Sequence, residues 1–183
     1  ADILFKEAPY NEYKDKFNIR AVEAVSEESG TDVPGENIYV NTALNSSFYT
    51  FDVDRYLTTN DIKAVNDYAA TVPHDNIIIL INSPRYGGGG VYNYYSGTTS
   101  DNRLAEYLFL HELGHAFAGL ADEYYSKDVA YEDYYPLDVE PWEPNITTLV
   151  SFESKWKMMI PEDTPLPTPS EETYIHTTGL FEG

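Results

Sequence analysis

The run Ile77-Ile78-Ile79-Leu80-Ile81, set between Pro73 and Pro84, constrains the fold more than any other stretch. A short apolar run bounded by breakers reads as a strand, and its lack of alternation predicts a central strand buried on both faces. Before it, Ile62, Val65, Tyr68 and Ala69 recur at three-to-four spacing, which predicts a helix over Thr59–Ala70. After it, Gly87 to Gly90 read as a mobile turn, because glycines break regular elements. The Tyr-rich stretch Val91–Ser96 then has the character of an edge strand. Ser100 or Asp101 can cap a helix running to about Leu120. Upstream, the β-branched residues Ile19, Val22 and Val25 predict a buried strand over Phe17–Ser26, and Asn37–Thr42 a second short one. Downstream, Asp122–Pro144 is an acidic, Tyr-rich loop, Ser151–Met159 a short helix, and Pro161–Pro169 an irregular connection. Strands and helices in this order give an α+β or mixed α/β fold in one domain spanning residues 1–183.

Charge excludes several classes of partner. The 31 acidic residues outnumber 11 basic ones, for a formal charge of −20. Nucleic-acid binding needs a Lys/Arg excess for phosphate contacts, and an anionic membrane surface would repel this chain. No apolar run reaches the ~18 residues a membrane-spanning helix needs. With no cysteine, disulfide scaffolds, thiolate metal fingers and thiol catalysis are all excluded. The chain starts at Ala1 without a basic and apolar leader, and so reads as a mature chain or a piece of a longer one.

Chemistry concentrates at His111-Glu112-Leu113-Gly114-His115. With 3.6 residues per helical turn, His111 and His115 project from the same face, one turn apart. Two imidazoles so placed can share one Zn²⁺ at about 2.0–2.1 Å each. Glu112 sits roughly 100° around the helix, off the ligand stripe yet within reach of a water on the metal. Zinc would acidify that water, Glu112 would take its proton, and the hydroxide would attack a polarised carbonyl. Leu104 and Leu108 continue the histidine stripe, while Leu110, Leu113, Phe117 and Leu120 form a second, apolar stripe that predicts a largely buried helix end.

A catalytic zinc site needs a third protein ligand. Asp122 and Glu123 follow His115 by seven and eight residues, just past Gly119, a natural place to end the helix. Asp122 is the preferred candidate and Glu123 the near alternative. Glu132, Glu140 and Glu143 are candidates if the ligand comes from further downstream. In so acidic a chain, plain solvation is the competing reading for each of them.

The active-site run continues as Ala116-Phe117-Ala118-Gly119-Leu120-Ala121-Asp122-Glu123-Tyr124-Tyr125. It resembles the signature of the IgA-peptidase-like zinc metallopeptidases. Ser26-Glu27-Glu28-Ser29-Gly30-Thr31-Asp32, Ile79-Leu80-Ile81-Asn82, Tyr86-Gly87-Gly88 and Pro141-Trp142-Glu143-Pro144-Asn145 stand in the family's order. The resemblance implies a bacterial, secreted or surface-exposed zinc endopeptidase acting on protein or peptide substrates. Its fold would be zincin- or metzincin-like, a twisted mixed sheet with an edge strand and an active-site helix. His111, His115 and Asp122 carry over as metal ligands and Glu112 as general base. Gly119 and Asp122 each fall one residue later than in the broader metzincin pattern. Members of the family also continue beyond the position of Gly183, so this chain reads as truncated at its C-terminal end.

In a zincin fold the strand before the active helix pairs with an extended substrate, which nominates Gly88, Gly89, Val91 and Tyr92 as substrate-binding. A hydroxyl from Tyr124, Tyr125, Tyr131, Tyr134 or Tyr135 could hold an oxyanion, although such tyrosines more often pack a loop. Asn145-Ile146-Thr147 and Asn45-Ser46-Ser47 match a glycosylation pattern that carries little meaning in a bacterial protein. His74 and His176 read as ordinary surface residues. Two other functions remain open at this point: a zinc-containing binding or adhesion module without turnover, and a zinc amidohydrolase acting on a non-protein substrate.

Overall fold

A computed structural model describes residues 1–123 and 135–182. It divides into two compact units, Ala1–Ala118 and Gly119–Gly183. The first is a mixed α+β unit, as the order of elements predicts. Strands β1 (Ser46–Ser47) and β2 (Thr58–Thr59) form a short antiparallel pair. Helix α1 (Ile62–Ala69) follows. A three-stranded sheet comprises β3 (Ile77–Ile81), β4 (Gly88–Val91) and β5 (Tyr95–Thr99), and α2 (Ala105–Leu113) comes after it.

Helix α1 forms within the span expected of it. The Asp61 carboxylate caps it, accepting from the Ala64 N–H at 2.9 Å, and Asn45 holds the other carboxylate oxygen at 2.8 Å. Its inward residue, Val65, joins Val33, Phe48, Leu57, Ile79, Ile81 and Tyr95 in the core. The Tyr95 hydroxyl ties β5 to β2, donating to the Thr59 carbonyl and accepting from the Thr59 N–H.

The sheet order is β3-β5-β4, with β5 parallel to β3 and antiparallel to β4. This corrects the reading of the isoleucine run. Strand β3 lies at one edge, with Ile79 and Ile81 buried while Ile78 and Leu80 are 38% and 65% exposed. The strand buried on both faces is β5, Tyr-Ser-Gly-Thr-Thr, every residue of which is buried. Small residues make this arrangement workable. Tyr95 and Gly97 share the face of the Val65–Leu57 core, whereas Ser96 and Thr98 share the opposite face with their register partners Gly90 and Gly88. Helix α2 packs on that opposite face, against β4 and β5.

Other expectations are also corrected. Gly88–Val91 is a regular strand rather than a mobile turn. No strand forms over Phe17–Ser26, where Ile19 and Val25 are 50% and 78% exposed; β-branched residues alone form no strand without a partner edge. Asn37–Thr42 contributes only an isolated bridge between Val33 and Ile38. Neither Ser100 nor Asp101 caps α2; the Asn102 side chain accepts from the Leu104 N–H at 2.9 Å.

The second unit has no regular strand or α-helix among its described residues, only single helical turns at Phe152–Ser154, Lys157–Met159 and Glu172–Tyr174. The expected helix over Ser151–Met159 is therefore two separate turns. A polar centre organises this unit. The Lys155 ammonium donates to the carbonyls of Pro141 and Glu143 at 2.7 Å each and to that of Ile146, and pairs with the Glu140 carboxylate at 3.0 Å. Burial works against charge on Glu140. The Ser151 N–H, the Thr147 hydroxyl and Lys155 nevertheless hold its carboxyl down at about 2. No helix among the described residues is long and apolar enough to cross a membrane.

Candidate active site

Helix α2 ends at Leu113 rather than at Leu120. The chain continues as a wider π-helical turn over Gly114–Ala118, and Gly119 then reverses it with φ +66°. Single π-helical turns within helices are common at functional sites, since the extra residue re-aims the side chains around it. His111 stands on the regular helix and His115 in the wide turn. Their imidazoles meet at right angles, with ring centroids 4.6 Å apart and Nε2 atoms separated by 3.1 Å. At that separation a hydrogen bond joins the two rings, with the donor set by their tautomers. Two donors at about 2.0–2.1 Å from a tetrahedral ion stand about 3.4 Å apart, so this pair fits a single divalent metal with little adjustment.

Glu112 is buried, 7% exposed, in the contact between α2 and β4. A Cβ added at Gly88 would fall 2.6 Å from Glu112 Oε1, so the carboxylate occupies the space a side chain would have taken. A Cβ at Gly90 would lie 2.5 Å from the Glu112 carbonyl oxygen and 2.7 Å from His115 Cβ. Gly89 faces the other way, toward the Leu57 carbonyl. The glycine run thus lets a helix approach a strand to backbone contact, and Gly88 and Gly90 mould the site from behind. Gly88 also bonds outward, its N–H to the Arg55 carbonyl and its carbonyl to the Leu57 N–H. Val91 and Tyr92, the other nominated substrate residues, are 40% and 54% exposed at the end of β4.

The rest of the helix is less buried than its pattern predicts. Leu108, Leu113 and Ala116 are buried, but Phe117 of the expected apolar stripe is 52% exposed. Its ring meets Phe17 at 6.3 Å. Sequence reasoning missed Tyr107, one turn before His111. Its ring stacks on the imidazole at 5.7 Å and 25° between planes, extending the two rings into a ladder of three. The same i, i+4 spacing that picked out the histidines would have found it.

The acidic candidates separate by their partners within the second unit. The Glu123 carboxylate accepts from Asn145 Nδ2 at 2.8 Å, Glu140 is held by Lys155 and Ser151, and Glu143 accepts from the Tyr135 hydroxyl. Glu132, Tyr124, Tyr125, Tyr131 and Tyr134 lie outside the described residues. Both polar atoms of the Asn145 amide are engaged.

The site thus pairs two imidazoles in contact with an adjoining helix residue, Glu112, whose carboxylate is buried against β4. No curated protein matches the chain significantly. The family described as IgA Peptidase M64 matches residues 1–179 of the 183, and the chain belongs to that family of peptidases.

Proposed function

We propose that the protein is a zinc-dependent endopeptidase with a zincin-like catalytic fold, and that His111, His115 and Asp122 hold the metal. The observation that carries this reading is the pair of Nε2 atoms 3.1 Å apart with the buried Glu112 between them in sequence. Two imidazoles and one carboxylate are a donor set that zinc accepts, and such a set leaves a fourth position open. Asp122 is the preferred third ligand because it stands just past the reversal at Gly119 and offers a carboxylate oxygen, which zinc accepts.

When bound, the ion supplies Lewis acidity toward a water and a substrate carbonyl. Glu112 takes the proton of the attacking water on a carboxylate oxygen and passes it to the leaving amine nitrogen as the peptide bond breaks. The walls of β4 keep that carboxylate from swinging away. A purely structural site would have no use for a general base at this position, which weighs against a binding module without turnover. Substrate would lie extended along β4. The outer edge at Gly88 is taken by Arg55 and Leu57, so strand addition falls to Gly90, Val91 and Tyr92.

Glu112→Gln tests this assignment. The variant should bind zinc like the parent and lose peptide cleavage by about 10²–10⁴-fold, the usual contribution of a general base. Cleavage of an unfolded protein panel at the parental rate would refute the role given to Glu112.

A further inference from the structure

We infer that Asn145 is the positioning residue for the third metal ligand, an inference that rests on the reading of Asp122 given above. The Asn145 side chain brackets Asp122 from both sides in sequence. Its Oδ1 accepts from the Ala121 N–H at 2.8 Å, and its Nδ2 donates to the Ala121 carbonyl at 2.9 Å and to Glu123 Oε1 at 2.8 Å. The amide orientation is set by these partners. Reversed, its oxygen would face the Ala121 carbonyl and the Glu123 carboxylate, two acceptors. The amide thus engages the backbone of Ala121 as a neighbouring strand would, while its second N–H engages the Glu123 carboxylate.

Asn145 is itself held. It lies in the turn whose carbonyls at Pro141, Glu143 and Ile146 converge on the Lys155 ammonium, with Glu140 balancing that charge. The order of support runs from Glu140 to Lys155, to the turn over 141–146, to Asn145 and so to the backbone on either side of Asp122. A carboxylate on a chain reversal has no helix to fix its direction, unlike His111, so its aim must come from a clamp of this kind. Groups that orient ligands in this way typically contribute 10–100-fold to metal affinity.

The test uses the full 183-residue chain. Zinc affinity of the folded protein is measured by competition with a chromophoric chelator for the parent, Asn145→Ala, Asn145→Asp and Asp122→Ala, and for Asn145→Ala combined with Asp122→Ala. Asn145→Ala should weaken zinc binding by about 10-fold or more. Asn145→Asp should weaken it further, because it loses both donated bonds and sets a second carboxylate against Glu123. In the Asp122→Ala background the Asn145→Ala effect should vanish, since no carboxylate remains to be aimed; a merely structural role would leave it unchanged. Parental zinc affinity in folded Asn145→Ala, or an equal effect in both backgrounds, would overturn the inference alone. Parental affinity in Asp122→Ala would sink the ligand assignment and this inference with it. Absence of zinc binding by the parent would sink the metallopeptidase reading as a whole.

Discussion

Alanine at Gly88 and at Gly90 should damage the protein in two different ways, and the contrast tests how the site is built. At Gly88 the new Cβ would meet the Glu112 side chain, at 2.6 Å from Oε1 and 2.7 Å from Cγ. Ordinary contact begins near 3.4 Å, so the carboxylate must retreat by about 0.8 Å. A side chain can make that move at small cost in stability, partly offset by the lower conformational entropy of alanine in a strand. The catalytic cost is larger, because a misplacement of about 1 Å can cost about 10²-fold in rate. Gly88→Ala should therefore lose about 10²-fold in kcat with little change in Tm. At Gly90 the Cβ would meet the Glu112 carbonyl at 2.5 Å and His115 Cβ at 2.7 Å, atoms that move only with the helix. Overpacking of that kind costs about 1–3 kcal/mol, or a Tm lower by about 2–12 °C for a chain of this size. Thermal unfolding together with steady-state cleavage of an unfolded substrate reads both variants. Parental turnover by Gly88→Ala, or equal destabilisation of the two variants, would refute the reasoning.

Three further outcomes follow from the same contacts. Tyr107→Ala should weaken zinc binding by a few-fold while Tyr107→Phe keeps it, because the stack on His111 uses the ring and not the hydroxyl; the chelator competition assay reads both, and equal affinities would remove Tyr107 from the site. Lys155→Met should destabilise the protein by about 3 kcal/mol in denaturant titration, because Glu140 and three carbonyls lose the cation they surround; a loss under about 1 kcal/mol would show that water replaces it. Glu140 has a carboxyl pKa of about 2 in the folded protein against an ordinary 4.5, so its ionised form adds stability that is fully present above 4.5 and lost as pH falls toward 2. Tm measured between pH 2 and 5 should fall less steeply in Glu140→Gln than in the parent, and parallel curves would contradict the assignment.

Helical periodicity alone made the histidine pair legible: side chains four residues apart share a face wherever the backbone is helical, and the 3.1 Å separation follows even though the turn widens at Gly114. Helix α1 was legible for the same reason, as was the reversal at Gly119, which a residue without Cβ makes without strain. Which strand would be central was a tertiary decision. A run of isoleucines is suited to burial on both faces, but a helix lying in backbone contact with a sheet needs small residues beneath it. Ser96, Thr98, Gly88 and Gly90 supply them, and β3, with its bulky side chains, is left at the edge. The same close approach decided that Glu112 would be buried against a strand, whereas its place in the helix could say only that it points away from the histidines. Asn145 needed the fold most of all. It stands 24 residues beyond Ala121, and no local pattern couples positions so far apart; only the turn gathered around Lys155 brings its amide to that backbone.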